Sequence, residues 1–98
     1  MIDRKDIPRV QNMLGRTGRA VANQFEIYTD KYKVFQSYGS VIAMIPYDGS
    51  PTLLDKRDWD YSRTTGRYRN EFLREGKAET NRKIELGTYK LVDLNYIY

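Results

Sequence analysis

Asp58-Trp59-Asp60-Tyr61-Ser62-Arg63-Thr64-Thr65-Gly66-Arg67-Tyr68-Arg69-Asn70-Glu71-Phe72-Leu73 is the stretch whose reading decides the fold. Tyr61, Thr65, Tyr68, Phe72 and Leu73 recur at helical spacing, which predicts a helix laying one aromatic stripe on a sheet. Asp60 or Ser62 suits the start, because a side-chain oxygen there accepts from the free N–H groups of the first turn. Arg74 with Gly76 suits the end. Gly66 conflicts with this reading, since a glycine inside a helix costs ~1 kcal/mol relative to alanine. It either permits close packing against the sheet or moves the start of the helix to Thr65.

Upstream of this stretch the apolar period is two. Val21, Asn23, Phe25, Ile27 and Thr29 alternate with Ala22, Gln24, Glu26 and Tyr28, the pattern of a half-buried strand. Asp30-Lys31 and Gly39-Ser40 are turns around a second strand, Tyr32 to Tyr38. Val41 to Ile45 is apolar on both faces and belongs in the middle of the sheet. Such short turns make an antiparallel meander. Pro46 to Pro51 is a turn cluster, Thr52 to Leu54 a short fourth strand, and Asp55 to Asp58 a charged exit.

Downstream, Lys77 to Leu86 reads as a second helix with Ala78 and Ile84 partly buried, ended by Gly87. Thr88 to Leu94 returns to strand and pairs with the meander, and the apolar tail Asn95 to Tyr98 extends that strand or docks on a neighbour. At the other end, Asp6-Ile7-Pro8 opens a short helix through Val10, Met13 and Leu14, and Gly15 to Arg19 is a basic linker. The expected fold is therefore α+β. It has a small twisted antiparallel sheet of four to five strands with two helices packed on one face. Residues 1–19 form a basic arm or short helix, and residues 20–98 a single domain.

Composition narrows the function more by exclusion than by assertion. A chain of 98 residues supports one modest core. There is no Cys and no His, which removes disulfides, thiolate chemistry, the usual neutral-pH base and the commonest metal ligand. Asp55, Asp58 and Asp60, with Glu71 near, and Asp48 with Glu75-Gly76-Lys77, are loose versions of a Mg²⁺-dependent nuclease pattern. Acids at a strand-to-helix junction are favoured as caps, and the Glu-Gly-Lys triplet flanks a helix end rather than a strand edge. No phosphate-binding loop or dinucleotide fingerprint is present. The expectation is a protein that is no enzyme and takes no cofactor or metal. The first residues, with Asp3, Arg4, Lys5 and Asp6, have no apolar leader pattern, and Val41 to Pro46 is too short to span a bilayer. A cytoplasmic protein without membrane contact is expected.

Several segments stand together as a pattern: Asn23-Gln24-Phe25, Phe35-Gln36-Ser37-Tyr38, Leu54-Asp55, Trp59 to Gly66, Tyr68 to Leu73 and Tyr89 to Asn95. Over about residues 21–95 they resemble a small uncharacterised domain of phages and mobile elements of Gram-positive bacteria. Trp59-Asp60-Tyr61-Ser62-Arg63-Thr64-Thr65-Gly66 is the most specific part. The resemblance carries no catalytic residues. It implies a setting, the cytoplasm of a host cell, in which small stoichiometric binders block defence enzymes such as CRISPR effectors, or bind DNA or host regulators.

The residues offer two kinds of surface for such binding. Arg63, Arg67, Arg69 and Arg74 surround the predicted helix, and Lys77, Arg82 and Lys83 follow. With Tyr28, Tyr32 or Tyr38 as stacking platforms they would suit single-stranded nucleic acid, although Glu71, Glu75, Glu79 and Glu85 interleave with them. Protein interfaces use the same side chains, since Tyr and Arg give large contacts with polar handles. Trp59, Phe25, Phe35 and Phe72 are expected in the core, whereas Tyr28, Tyr47, Tyr96 and Tyr98 divide between core and surface. The contact set read from the sequence is Arg63, Arg67, Arg69, Arg74, Lys77, Tyr28 and Tyr47. The expected function is inhibition of a host defence protein, a CRISPR effector nuclease in particular, by steric occupation. The alternative is a nucleic-acid-binding accessory protein using the Arg-rich helix. A homodimer through the C-terminal strand edge or tail is a further expectation.

Overall fold

The period-two segments build one six-stranded sheet in which neighbours in space are neighbours in sequence, in the order β1 to β6. The structure, a computed structural model, describes residues 7–95. Its elements are β1 (Arg9–Leu14), β2 (Ala20–Tyr28), β3 (Tyr32–Ser37), β4 (Ser40–Pro46), β5 (Thr52–Asp55), α1 (Arg63–Leu73), α2 (Lys77–Glu85) and β6 (Tyr89–Val92). The first five strands are antiparallel, while β6 lies parallel to β5. The α+β class is as read, but the sheet is mixed and larger than four to five antiparallel strands. Two helices separate β5 from β6, and a crossover of that length allows the parallel return.

The N-terminal helix is replaced by β1, which pairs with β2 from Arg9↔Tyr28 to Leu14↔Ala20. Val10, Met13 and Leu14 have helical spacing, yet only Met13 is buried, and Val10 and Leu14 remain 62% and 59% exposed. Strand alternation puts Met13 on the helix side with Gln11, whose partner Glu26 pairs with the inward Phe35. The Gly15 to Arg19 segment is the hairpin turn, with Gly18 at φ +78 and the Gly15 N–H donating to the Arg19 carbonyl at 2.9 Å. A positive φ of that kind suits glycine.

One face of the sheet carries the core. Phe35, Ala43, Leu54 and Ile42 pack there against Tyr68 and Phe72 of α1 and Tyr89 of β6, and the rings of Phe35 and Phe72 stack at 5.7 Å. A bulge opposite Phe35 and Gln36 puts the consecutive residues Ile42 and Ala43 both into this core. Phe35 and Phe72 are buried as expected, while Trp59 only flanks the cluster. Phe25 is half-buried on the helix-free face, because its partner Gln36 neighbours the inward Phe35.

The alternation read for β2 breaks at Asn23, whose φ is +66. Val21 before it and Gln24 after it both turn toward the helices; Gln24 is fully buried, and neither atom of its amide has a partner. Expected to point outward, Gln24 lies instead beneath α1, paired with Ser37, whose hydroxyl meets that of Thr65 at 2.9 Å.

α1 starts on Ser62, whose Oγ accepts from the Thr65 N–H at 3.1 Å, and ends on Arg74 at φ 58, ψ 44. Gly66 sits inside the helix, its N–H bonded to the Ser62 carbonyl, and a Cβ there would lie 3.6 Å from the Arg69 guanidinium. That is ordinary contact distance, so no close packing requires the glycine, and the helix does not begin at Thr65. In α2 it is Thr80, and not Ala78, that is buried; Ile84 is half-buried as expected. Among the described residues no helix is long and apolar enough to cross a membrane. The tail residues Tyr96 to Tyr98 lie outside the described part.

Candidate functional site

The loop between β5 and α1 is shaped from inside by two buried charged side chains. Asp55, 1% exposed, accepts through Oδ2 from the backbone N–H groups of Arg57 (3.2 Å) and Asp58 (2.8 Å). Its Oδ1 accepts from the N–H of Leu94 (2.9 Å), so one carboxylate joins the loop to the end of β6. Arg69, also 1% exposed, rises from α1 into the loop. Its Nη1 donates to the Trp59 carbonyl (2.6 Å) and to Asp60 Oδ1 (3.3 Å), and its Nη2 to Asn70 Oδ1 (3.1 Å). The guanidinium lies 5.1 Å from the centre of the Trp59 ring, a cation–π contact that gains strength where water is excluded.

Asp60 is shared. Its other oxygen lies 2.6 Å from Lys77 Nζ at the start of α2. Partial burial pushes the Asp60 carboxyl up, but the hydrogen bonds and charges of Lys77 and Arg69 outweigh this and hold it below the usual carboxylate range. A third tie is the Thr65 hydroxyl, within hydrogen-bond distance of Ser37 (2.9 Å) and Ser62 (3.2 Å).

With these roles assigned, the residues of the 59–66 run separate into two groups. Trp59, Asp60, Ser62, Thr65 and Gly66 hold or receive the scaffold. Tyr61, 72% exposed, Arg63 and Thr64 face outward and make no side-chain hydrogen bond or ion pair among the described residues. Beside them the β3–β4 turn presents Tyr38, 54% exposed, held at φ +55 with its N–H on the Asn23 carbonyl. A cleft of about 480 Å³ lies between the two tyrosines, lined also by Ile42 and by the hydroxyl residues Ser37, Ser40, Ser62 and Thr64. It adjoins a shallower basic concavity of about 920 Å³ on the outer side of α1, sharing Ser62 and Thr64 with it. Arg63, Arg67 and Lys77 line that second surface.

Four of the seven residues read as contacts, Arg63, Arg67, Arg69 and Lys77, border the basic concavity, and three of them, all but Arg69, are exposed. Arg67 is 3.9 Å from Glu71, and Lys77 is engaged by Asp60, so of the three only Arg63 shows no acidic partner among the described residues. Arg69 leaves the set, because its charge is turned inward onto Trp59 and Asp60. Arg74 is exposed but lines neither concavity; its backbone ends α1. Tyr28 lies on another part of the sheet with its hydroxyl donated to Glu26 (2.7 Å) and its ring near Arg9 and Lys33. The bond to Glu26, with burial and the Glu26 charge, pushes the Tyr28 hydroxyl up to about 12. Tyr47, 53% exposed, borders a separate cleft of about 490 Å³ with Lys31, Asp48 and Lys90.

Tyr61 is another residue the sequence reading placed wrongly. It was assigned to the buried stripe, but it precedes the Ser62 cap, where the helical period has no hold. Of the acids that suggested a nuclease, Asp55, Asp60 and Glu75 are engaged within the scaffold. Glu75, with a side chain 7% exposed, accepts from Thr80 Oγ1 (2.7 Å), Lys83 Nζ (2.7 Å) and Tyr89 OH (2.8 Å), fastening both helices to β6. Burial raises the Glu75 carboxyl, and the bonds from Lys83, Thr80 and Tyr89 more than reverse this, leaving it below the usual range. Among the described residues no group of three or more His, Cys, Asp or Glu could hold a metal ion.

Residues 9–88 match a family of unknown function (DUF8033), and the chain belongs to that family. The match takes in β1, which the resemblance read from the sequence had left outside. No curated protein and no solved structure matches the chain.

Proposed function

We propose that the chain is a binding protein that acts by occupying a surface of its partner, and that Tyr38, Tyr61, Arg63 and Thr64 make the contact. The observation that carries this reading is the division within the 59–66 run. Five of its residues fix the loop, and three face outward with no side-chain hydrogen bond or ion pair among the described residues. Tyr and Arg on a rigid frame are efficient anchors, since they give large contact area at low entropic cost. The chain carries a net charge of +4, so an acidic protein face is the complementary partner. In the setting the resemblance implies, that partner is a host defence factor, a CRISPR effector nuclease in particular, and inhibition is steric.

The test is capture from a nuclease-treated host lysate, comparing the wild type with Tyr61→Ala/Arg63→Glu. A defence protein retained by the wild type and lost by the variant, with an unchanged circular dichroism spectrum, is the expected result. Retention by the variant would place the contact elsewhere.

The meeting of Arg63, Arg67 and Lys77 on one concavity beside Tyr61 favours a second reading, a nucleic-acid-binding accessory protein. Phosphate contacts release counterions, so affinity then falls steeply with salt and Arg63→Glu/Arg67→Glu removes it. Absence of binding to DNA and RNA at low salt sinks this alternative.

A further inference from the structure

Asp58 carries a half-buried carboxylate that makes no hydrogen bond or ion pair among the described residues. Its backbone, by contrast, is fully engaged. The N–H donates to Asp55 Oδ2, and the carbonyl accepts from the Tyr61 N–H at 3.2 Å. The side chain is thus fixed at its base, and it lines the cleft of about 480 Å³ with the exposed rings of Tyr38 and Tyr61. Among the described residues that line this cleft, Asp58 alone is charged. Ser40 and Thr64 add hydroxyls that have no side-chain partner among the described residues. The chain as a whole carries +4, and the adjoining concavity presents Arg63, Arg67 and Lys77. One carboxylate set with two aromatic rings is therefore a local reversal of charge.

The loop already shows what such a pair of groups holds. Trp59 and Asp60 keep the Arg69 guanidinium 5.1 Å from the centre of the indole ring and 3.3 Å from the carboxylate. Asp58 and Tyr61, the residues on either side of that pair, offer the same two groups to the cleft, and no cation of the described chain occupies them.

We infer that this cleft receives a guanidinium, the side chain of an arginine exposed on the partner. The inference rests on the reading of Tyr38 and Tyr61 as contact residues and adds what they contact. A guanidinium is flat and weakly hydrated, so it can lie on a tyrosine face while its fork of N–H donors meets the carboxylate. Its remaining N–H groups suit the hydroxyls of Ser40 and Thr64 as acceptors. An acid entering the cleft would be repelled by Asp58, so the partner's acids belong next door, on Arg63. The two surfaces share Ser62 and Thr64, which lets one short segment engage both. The segment recognised is an arginine with acidic neighbours. Those neighbours also offset the repulsion that a chain of +4 exerts on a lone cation.

Chemical-shift titration of the full chain with a capped Glu-Glu-Arg-Glu-Glu peptide, and with its citrulline and lysine counterparts, tests this. Citrulline keeps the shape of arginine and removes the charge. The arginine peptide is expected to bind with shifts centred on Tyr38, Asp58 and Tyr61. The citrulline peptide binds about tenfold more weakly or worse, and the lysine peptide falls between them. Asp58→Asn costs the arginine peptide about tenfold and leaves the citrulline peptide unchanged, a coupling that general loss of structure would not produce. Where Asp58→Asn disturbs the loop, Tyr38→Ala serves from the other side of the cleft and weakens the arginine peptide several-fold. Equal affinity for the arginine and citrulline peptides, or the absence of shifts at the cleft, overturns the inference. Preference for guanosine monophosphate over the peptide does so too, because a guanine edge offers the same carboxylate two N–H donors and the ligand would then be a nucleic acid. Capture of a defence protein that depends on Tyr61 and Arg63 but not on Asp58 overturns this inference and leaves the proposed function standing. Peptide binding that depends on Asp58, beside capture indifferent to Tyr61 and Arg63, supports the site and overturns the wider contact reading.

Discussion

Arg69→Met is the sharpest perturbation of the loop that presents Tyr61 and Arg63. Methionine keeps most of the side-chain length and its apolar stem, so little packing is lost. What disappears is specific. The Trp59 carbonyl loses its 2.6 Å donor, which costs ~1–3 kcal/mol for a group out of water. The contact with the Trp59 ring contributes roughly 1–2 kcal/mol at such a site. The pair with Asp60 adds less, because that carboxylate is 35% exposed and keeps Lys77, and partly solvated pairs give ~0–1 kcal/mol. Against these losses stands the release of a buried guanidinium whose Nε has no partner. The net expectation is a destabilisation of about 2–3 kcal/mol, or roughly 8–24 °C in Tm for a domain of this size. Urea denaturation followed by the fluorescence of Trp59, the single tryptophan, measures it. Arg69→Lys should recover little, since an ammonium cannot reproduce the planar fork. Should Arg69→Met be as stable as the wild type, the loop is held by Asp55 and Ser62 alone and the role given to Arg69 is wrong.

Gln24→Met should stabilise by about 1–2 kcal/mol, since an unpartnered amide is removed from the interior at nearly constant volume; a loss of stability in the same denaturation assay would mean that an internal water satisfies the amide. Arg74→Gly should add roughly 0.5–1 kcal/mol, because glycine occupies the left-handed cap without strain, and an unchanged Tm would contradict this. Glu75 is held below its ordinary value of 4.5 in the folded chain, so its contribution is present above that pH and is lost as pH falls through the folded value. Glu75→Gln should therefore be clearly less stable than the wild type at neutral pH, with the gap closing in acid; urea midpoints at pH 7 and pH 3, with a gap that stays constant, would argue against the network as drawn.

The strands from Ala20 to Leu54, the Ser62 cap and the Arg74 end of α1 were legible because each follows from a local pattern. Other features were not local. Val10, Met13 and Leu14 fit a helix as well as a bulged strand, and only pairing with β2 decides between them. The parallel placement of β6 depends on how two helices return the chain, which no residue in Tyr89–Val92 encodes. Arg69 was read as a surface cation by its type, whereas the Trp59 carbonyl and the Asp60 carboxylate of the preceding loop draw its guanidinium inward. Gln24 was misassigned for one reason, the positive φ of Asn23, which reverses the alternation after it. The exposed pair Tyr38 and Tyr61 gains meaning only when the β3–β4 turn and the cap of α1 arrive side by side.

The parallel closure of the sheet also sets an order of assembly. As the chain leaves the ribosome, β1 to β5 can each pair with the strand just made, across turns of a few residues. β5 then waits with one edge unpaired and Leu54 uncovered until its final partner is synthesised. The Asp55 carboxylate must wait as well, because one of its donors, the N–H of Leu94, lies 39 residues downstream. A nascent chain stalled before that point would carry an open edge and a bare core face, the two features that invite misassociation. Synthesis of β6 and Leu94 is thus the step that closes this edge and covers the core face.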